Sequence, residues 1–175
     1  MEKEKVVVTP KWYAVYVKSR FEKKSAWLLE RDGVKVYLPL ITIVKQWSDR
    51  RKKVEEPLFK SYIFVYTDMK NYFDILNVPG VVKFVHFEGK PVDIPENQIN
   101  AIHEYVGQVS INKEEVKIDN LQLGQKVIVK YGAMKGIEGD LLEFKGKQWI
   151  VVDFEMFGRK LPVQVEKAMV EPVSC

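Results

Sequence analysis

GAMKGIEG, residues 132–139, sets three glycines and a Met-Lys pair between two runs that read as β-strands, KVIVK (126–130) and IEGDLLEF (137–144). The spacing fits neither Gly-x4-Gly-Lys-Ser/Thr nor Gly-x-Gly-x-x-Gly ahead of a helix, and a strand follows it. A phosphate cradle at a helix N-terminus is therefore set aside. Gly132, Gly136 and Gly139 are instead expected to give positive φ and close backbone approach at a tight corner. Downstream, QWIVVDF, LPVQV and AMVEP read as further short strands, with turns at Lys145-Gly146-Lys147 and Phe157-Gly158-Arg159. Residues 120–175 thus predict a small all-β barrel, a form that avoids open sheet edges.

Upstream the pattern changes. WYAVYV (12–17) has strand composition, and FEKKSAWLLERD behind it reads as a helix. Ser19 and Glu22 are spaced as a capping box, and Gly33 supplies the stop. VKVYLPLITIVKQW is extended because Pro39 blocks a helix, and SYIFVYT is another strand. Between them SDRRKKVEE reads as the charged tip of a long hairpin. MKNYFDILN is a short helix ended by Pro79-Gly80, VVKFVHF a strand, and Pro95 opens a helix carrying Ile99, Ile102, Tyr105 and Val106. The order β-α-β-β-α-β-α predicts a ferredoxin-like split βαβ domain over residues 1–108. A polar linker over 109–119 follows, giving an α+β protein with a separate barrel.

The chain has 175 residues, net charge +4, and 46% hydrophobic and 30% charged residues. That is globular composition with a basic lean toward nucleic acid or an acidic partner. Cys175 is the only cysteine, so an intrachain disulfide or a Cys-based metal site is excluded. Without a run of about 18 apolar residues or a signal-peptide core, a cytoplasmic protein with no membrane contact is expected. His86 and His103 lie in different elements with no ligand cluster near them. No metal, no cofactor and no catalytic residue are expected, and the chain is not read as an enzyme.

LQLGQKVIVKYGAMKGIEGDLLEF followed by DFEMFGRKLPVQVE resembles the KOW domain of the NusG family of transcription elongation factors, an SH3-like or Tudor-like barrel. WYAVYVKSRFEKK, EPLFKSYIFV and VPGVVKFVHF resemble the N-terminal domain of that family in the same order. The likeness covers about residues 11–173. LPLITIVKQWSDRRKKVEEPLF is most similar to specialised paralogues such as RfaH and the UpxY type.

The resemblance implies an antitermination factor whose first domain binds the clamp helices of the largest RNA polymerase subunit. The matching positions are Tyr16, Phe59, Phe64 and Phe87, with Tyr62 and Phe84 as neighbours. It also implies that Lys18 and Arg31 contact non-template DNA. Arg50, Arg51, Lys52 and Lys53, read from their charge, are candidates for nucleic acid or for the opposite jaw of the polymerase. Met134, Ile137, Met156, Phe157 and Arg159 match the KOW surface that takes Rho or a small-subunit ribosomal protein. Each aromatic has a plainer reading as core, because alternation turns half of a strand's side chains inward. A stand-alone RNA-binding protein of RRM type is the rival reading, since KSYIFVYT is similar to a base-stacking strand.

Overall fold

A computed structural model describes residues 9–47, 49–111, 124–145, 149–156 and 159–173. The protein is mixed α/β. Its elements, in order, are β1 (Lys11–Val17), α1 (Glu22–Arg31), β2 (Lys35–Tyr37), β3 (Leu40–Gln46), β4 (Arg51–Pro57), β5 (Tyr62–Thr67), α2 (Tyr72–Leu76), β6 (Val81–Phe84), β7 (His86–Phe87), β8 (Lys90–Pro91), β9 (Asp93–Ile94) and α3 (Glu96–Ile111). After these come β10 (Lys126–Val129), β11 (Glu138–Lys145), β12 (Trp149–Met156), β13 (Arg159–Glu166) and β14 (Val170–Pro172). The chain divides into two compact units, Met1–Leu38 with Pro57–Pro95, and Pro39–Glu56 with Glu96–Cys175.

In the first unit an antiparallel sheet has the order β2-β5-β1-β6, and β9 pairs with the start of β1. Register follows from side-chain character: Val15 lies opposite Ile63 and Phe84, and Tyr16 opposite Tyr62 and Lys83. One face of this sheet carries the core. Val15, Val17, Ile63, Val65 and Phe84 pack there with Leu29 of α1 and Ile75 of α2, because both helices turn their apolar stripe inward.

The expected Ser19 capping box does not form. α1 begins at Glu22, and Phe21 occupies the N-cap position with no side-chain cap. Glu22 is buried and accepts a 2.8 Å hydrogen bond from the Ser61 amide, which leaves it unable to reach back to Ser19. The helix is anchored instead on the Pro79–Gly80 turn. The Ser25 hydroxyl donates to the Pro79 carbonyl and the Lys18 amide to the Gly80 carbonyl, both at 2.8 Å. Gly80 has φ +92°, and a Cβ there would stand 2.5 Å from Phe21 Cδ1 and Ser25 Oγ, so any other residue is strained in its backbone and crowds those two side chains.

The segment expected as one long hairpin is two structures. Pro39 ends β2, which joins the sheet, and β3 turns back onto β4 as a separate two-stranded ribbon. The basic run therefore lies mostly in a strand, and the tip is Trp47–Arg50, closed by a 2.8 Å bond from the Trp47 amide to the Arg50 carbonyl.

In the second unit five antiparallel strands run in the order β13-β12-β11-β10-β14. Val127, Val129, Val152, Leu161, Val163 and Val165 supply its buried side chains. The Gly132–Gly139 corner behaves as its glycines require at two of three places. Gly132 and Gly136 have φ of +82° and +88°, whereas Gly139 lies in β11 opposite Val127. α3 continues to Ile111, beyond the expected end at residue 108, and is fastened to these strands by side-chain amides. Asn97 donates to the Lys135 carbonyl at 2.9 Å and Asn100 to the Ala133 carbonyl at 2.8 Å. Gln108 both donates to the Gln164 carbonyl, at 2.9 Å, and accepts from its amide, at 2.8 Å.

Candidate functional site

The sheet face turned away from α1 and α2 is aromatic, and strand register sorts it into three cross-strand rows. Lys35, Tyr66 and Trp12 form the first, with Lys35 Nζ 4.9 Å from the Tyr66 ring centroid and 5.3 Å from that of Trp12. Tyr37, Phe64 and Ala14 form the second, in which Phe64 stacks on Tyr37 at 6.2 Å and meets Phe59 edge-on at 5.9 Å. Tyr62, Tyr16 and Lys83 form the third, with the two tyrosine rings 5.4 Å apart.

Burial separates these rows. Phe64 is 0% exposed and Phe59 5%, so both are buried in this structure. Phe84 faces the helices, stacked on Tyr72 at 4.8 Å and edge-on to Tyr13 at 6.1 Å. Of the expected aromatic patch, Phe59, Phe64 and Phe84 are thus buried. Burial also pushes the hydroxyl pKa of Tyr37 far up and raises that of Tyr13, so both phenols stay neutral across the physiological range. What remains accessible is the half-buried Tyr16–Tyr62 pair beside exposed Lys83, and Phe87. Phe87 is 70% exposed on the β7–β8 hairpin, whose Glu88-Gly89 turn has both φ values positive.

The basic candidates are all exposed. Lys18 sits in the loop fixed by the Gly80 contact. Arg31, at the end of α1, lies over the ring of Trp27, one turn earlier, and bonds Asp32 at 2.9 Å. Trp27 itself is 60% exposed, and sequence reading passed over it as an ordinary helix residue. Its signal was the i, i+4, i+8 stripe Lys23, Trp27, Arg31, which carries no core residue. Arg50, Arg51, Lys52 and Lys53 project from the outer half of the β3–β4 ribbon, where Arg51 Nε donates to Gln46 Oε1 at 2.9 Å. Trp47 stands beside them and was also missed.

In the second unit Met134 and Ile137 are buried, contrary to the expected exposed rim; the turn that carries them is bonded by Asn97 and Asn100 of α3. Phe157 and the side chains of Met156 and Arg159 lie outside the described residues. Among the described residues no group of three His, Cys, Asp or Glu side chains could hold a metal ion, and no helix is long and apolar enough to cross a membrane.

The model of the family described as "Transcription termination factor nusG" matches residues 10–103, more than half of the chain. The chain belongs to the NusG family. A role in transcription comes with that membership. Among relatives, the transcription termination/antitermination protein NusG of Lactococcus lactis is 29% identical over 93% of this chain and 92% of its own. That of Halalkalibacterium halodurans is 28% identical over 93% and 98%. The solved structure "Domain interaction in Thermotoga maritima NusG" aligns with a TM-score of 0.51 and 26% identity, covering 95% of this chain and 98% of that one.

Proposed function

We propose that this NusG-family protein is a transcription elongation and antitermination factor that binds RNA polymerase through residues 1–108 and recruits a ribosomal protein or Rho through a KOW barrel at 120–175. The order β2-β5-β1-β6, with helices after β1 and β5, is what a ferredoxin-like split βαβ domain requires. The five short strands after residue 124 suit a KOW barrel.

The observation that carries the reading is the accessible aromatic edge, Tyr16 on Tyr62 beside Lys83, together with the protruding Phe87. Exposed aromatics add large contact area at low entropic cost, which is why they anchor interfaces. The occupant is the clamp-helix surface of the polymerase, with Lys18, Arg31 and the ribbon residues Arg50, Arg51, Lys52 and Lys53 directed to the non-template DNA. The RRM-type alternative loses its central stacking ring, since Phe64 is sealed in the core.

Tyr16→Ala and Phe87→Ala should each weaken binding to core polymerase by more than about 1 kcal/mol while the far-UV spectrum and melting temperature stay near those of the parent. Equal affinity in both variants would reject this surface.

A further inference from the structure

Tyr62, one half of the accessible tyrosine pair, enters β5 from a turn held in an uncommon form. The Tyr62 amide donates to the Phe59 carbonyl at 3.3 Å, which closes a four-residue turn over Phe59, Lys60, Ser61 and Tyr62. Ser61 has φ +65° whereas φ at Lys60 is negative, the sign pattern of a type II turn. The third position of such a turn favours glycine, and a serine there is strained. Turning over the Lys60–Ser61 peptide would give a type I turn, with φ of about −90° at Ser61 and no such strain.

Two hydrogen bonds hold Ser61 where it is. Its carbonyl accepts from the Val17 amide at 2.9 Å, and its amide donates to Glu22 Oε1 at 2.8 Å. Only the amide belongs to the peptide that would turn over, so of these two bonds the one to Glu22 resists the flip. Glu22 is buried, and taking a carboxylate out of water costs free energy that one amide bond returns only in part. An apolar side chain at that place would serve packing as well. Tyr62 is the first residue of β5 and faces Tyr16 in the last rung of the ladder, so the turn before it sets its direction.

We infer that Glu22 is a positioning residue for the polymerase surface: its carboxylate locks the Phe59–Tyr62 turn and so keeps the Tyr62 ring against that of Tyr16, 5.4 Å away. This rests on the reading of the Tyr16–Tyr62 edge as a polymerase contact and adds the group that presents it.

The test measures the affinity of the full chain for core RNA polymerase and, in the free protein, the nuclear Overhauser effect between the Tyr16 and Tyr62 rings. Glu22→Met and Glu22→Gln fill nearly the same volume, and only the second keeps an acceptor oxygen. Glu22→Met should weaken polymerase binding about 5- to 20-fold and lose the ring contact, whereas Glu22→Gln should stay within about 2-fold of the parent and keep it. Ser61→Gly should abolish the dependence on Glu22, because glycine takes a positive φ unaided. Glu22→Met/Ser61→Gly should therefore bind within about 2-fold of Ser61→Gly. A loss of packing alone would leave Glu22→Met and Glu22→Gln alike and would not be relieved at Ser61.

Equal affinities for Glu22→Met and the parent overturn the proposal, as does an equal loss in Glu22→Met and Glu22→Gln. A ring contact that survives Glu22→Met overturns it whatever the affinity. Should Glu22→Met not fold, the comparison of Glu22→Met/Ser61→Gly with Ser61→Gly decides: equal affinity supports the turn as the point of action, and a loss of about 5-fold or more overturns it. If instead Tyr16→Ala and Phe87→Ala bind polymerase as the parent does, the surface itself is wrong. The ring measurement needs no polymerase and tells that failure apart from a failure of Glu22 to hold Tyr62.

Discussion

β4 and β5 are neighbours in sequence, similar in length and both antiparallel, yet their environments are opposite. β5 is buried along most of its length on both faces, while the basic half of β4 is solvated on both. Aromatic character therefore means different things in the two places. Phe64 on β5 is a structural residue because Tyr37, Phe59 and Ala14 enclose it, whereas Trp47 on the ribbon of β4 has no comparable enclosure. The lesson is that a ring's role follows from what surrounds it, and residue type alone misleads.

The most forceful way to break that contrast is Phe64→Ala. A fully buried phenylalanine should cost about 3–5 kcal/mol on truncation, read as a fall in the urea midpoint, while Trp47→Ala should stay within about 0.5 kcal/mol of the parent. Similar losses in both variants would mean the two strands are not packed as described.

Gly80→Ala comes next, because it joins a positive φ to a close contact with the Phe21 and Ser25 side chains. A loss of roughly 1–3 kcal/mol is expected, with Gly89→Ala, where an added Cβ meets nothing within 4 Å, costing less. A reversed ranking would show that α1 is not anchored on that turn.

The smallest effect belongs to the exposed pair Lys11–Asp93, 2.8 Å apart at the solvent end of the well-packed sheet. The hydrogen bond and charge of Lys11 hold the Asp93 carboxyl below its ordinary 3.8, so its contribution is present above that value and fades as pH falls through the depressed one. The bond and charge of Asp93 raise Lys11 above 10.5, so that contribution is complete below 10.5 and is lost as pH rises past the elevated value. Asp93→Asn should be marginally less stable than the parent at pH 7, and the gap should narrow as pH falls below 3.8 through the depressed value and in molar salt. A gap that persists under both conditions would assign the pair a larger part than exposure permits.

Much of the fold was readable, for identifiable reasons. WYAVYV, SYIFVYT and the short strands after residue 124 declare themselves by β-branched and aromatic content, and Gly33 marks a real helix end, whereas Pro39, read only as a bar to helix, divides two strands. RKKVEEP was misread as a tip because its side chains carry no strand signal; it is extended because β3 supplies backbone partners. Ser19 and Glu22 had the right spacing for a cap, but the Ser61 amide claimed the carboxylate. The candidate site was less legible than the fold. Tyr62 and Phe64 lie on one face, two residues apart, and periodicity treats them alike; only the neighbours contributed by Tyr37 and Phe59 make one core and leave the other at the edge.

The Gln108 amide has a consequence for solubility. β13 is the terminal strand in the order of the second sheet, and Gln164 there turns its amide and carbonyl outward, ready to template another chain. A single glutamine side chain satisfies both groups in the pattern an added strand would use, so α3 guards this edge against growth into a continuous intermolecular sheet.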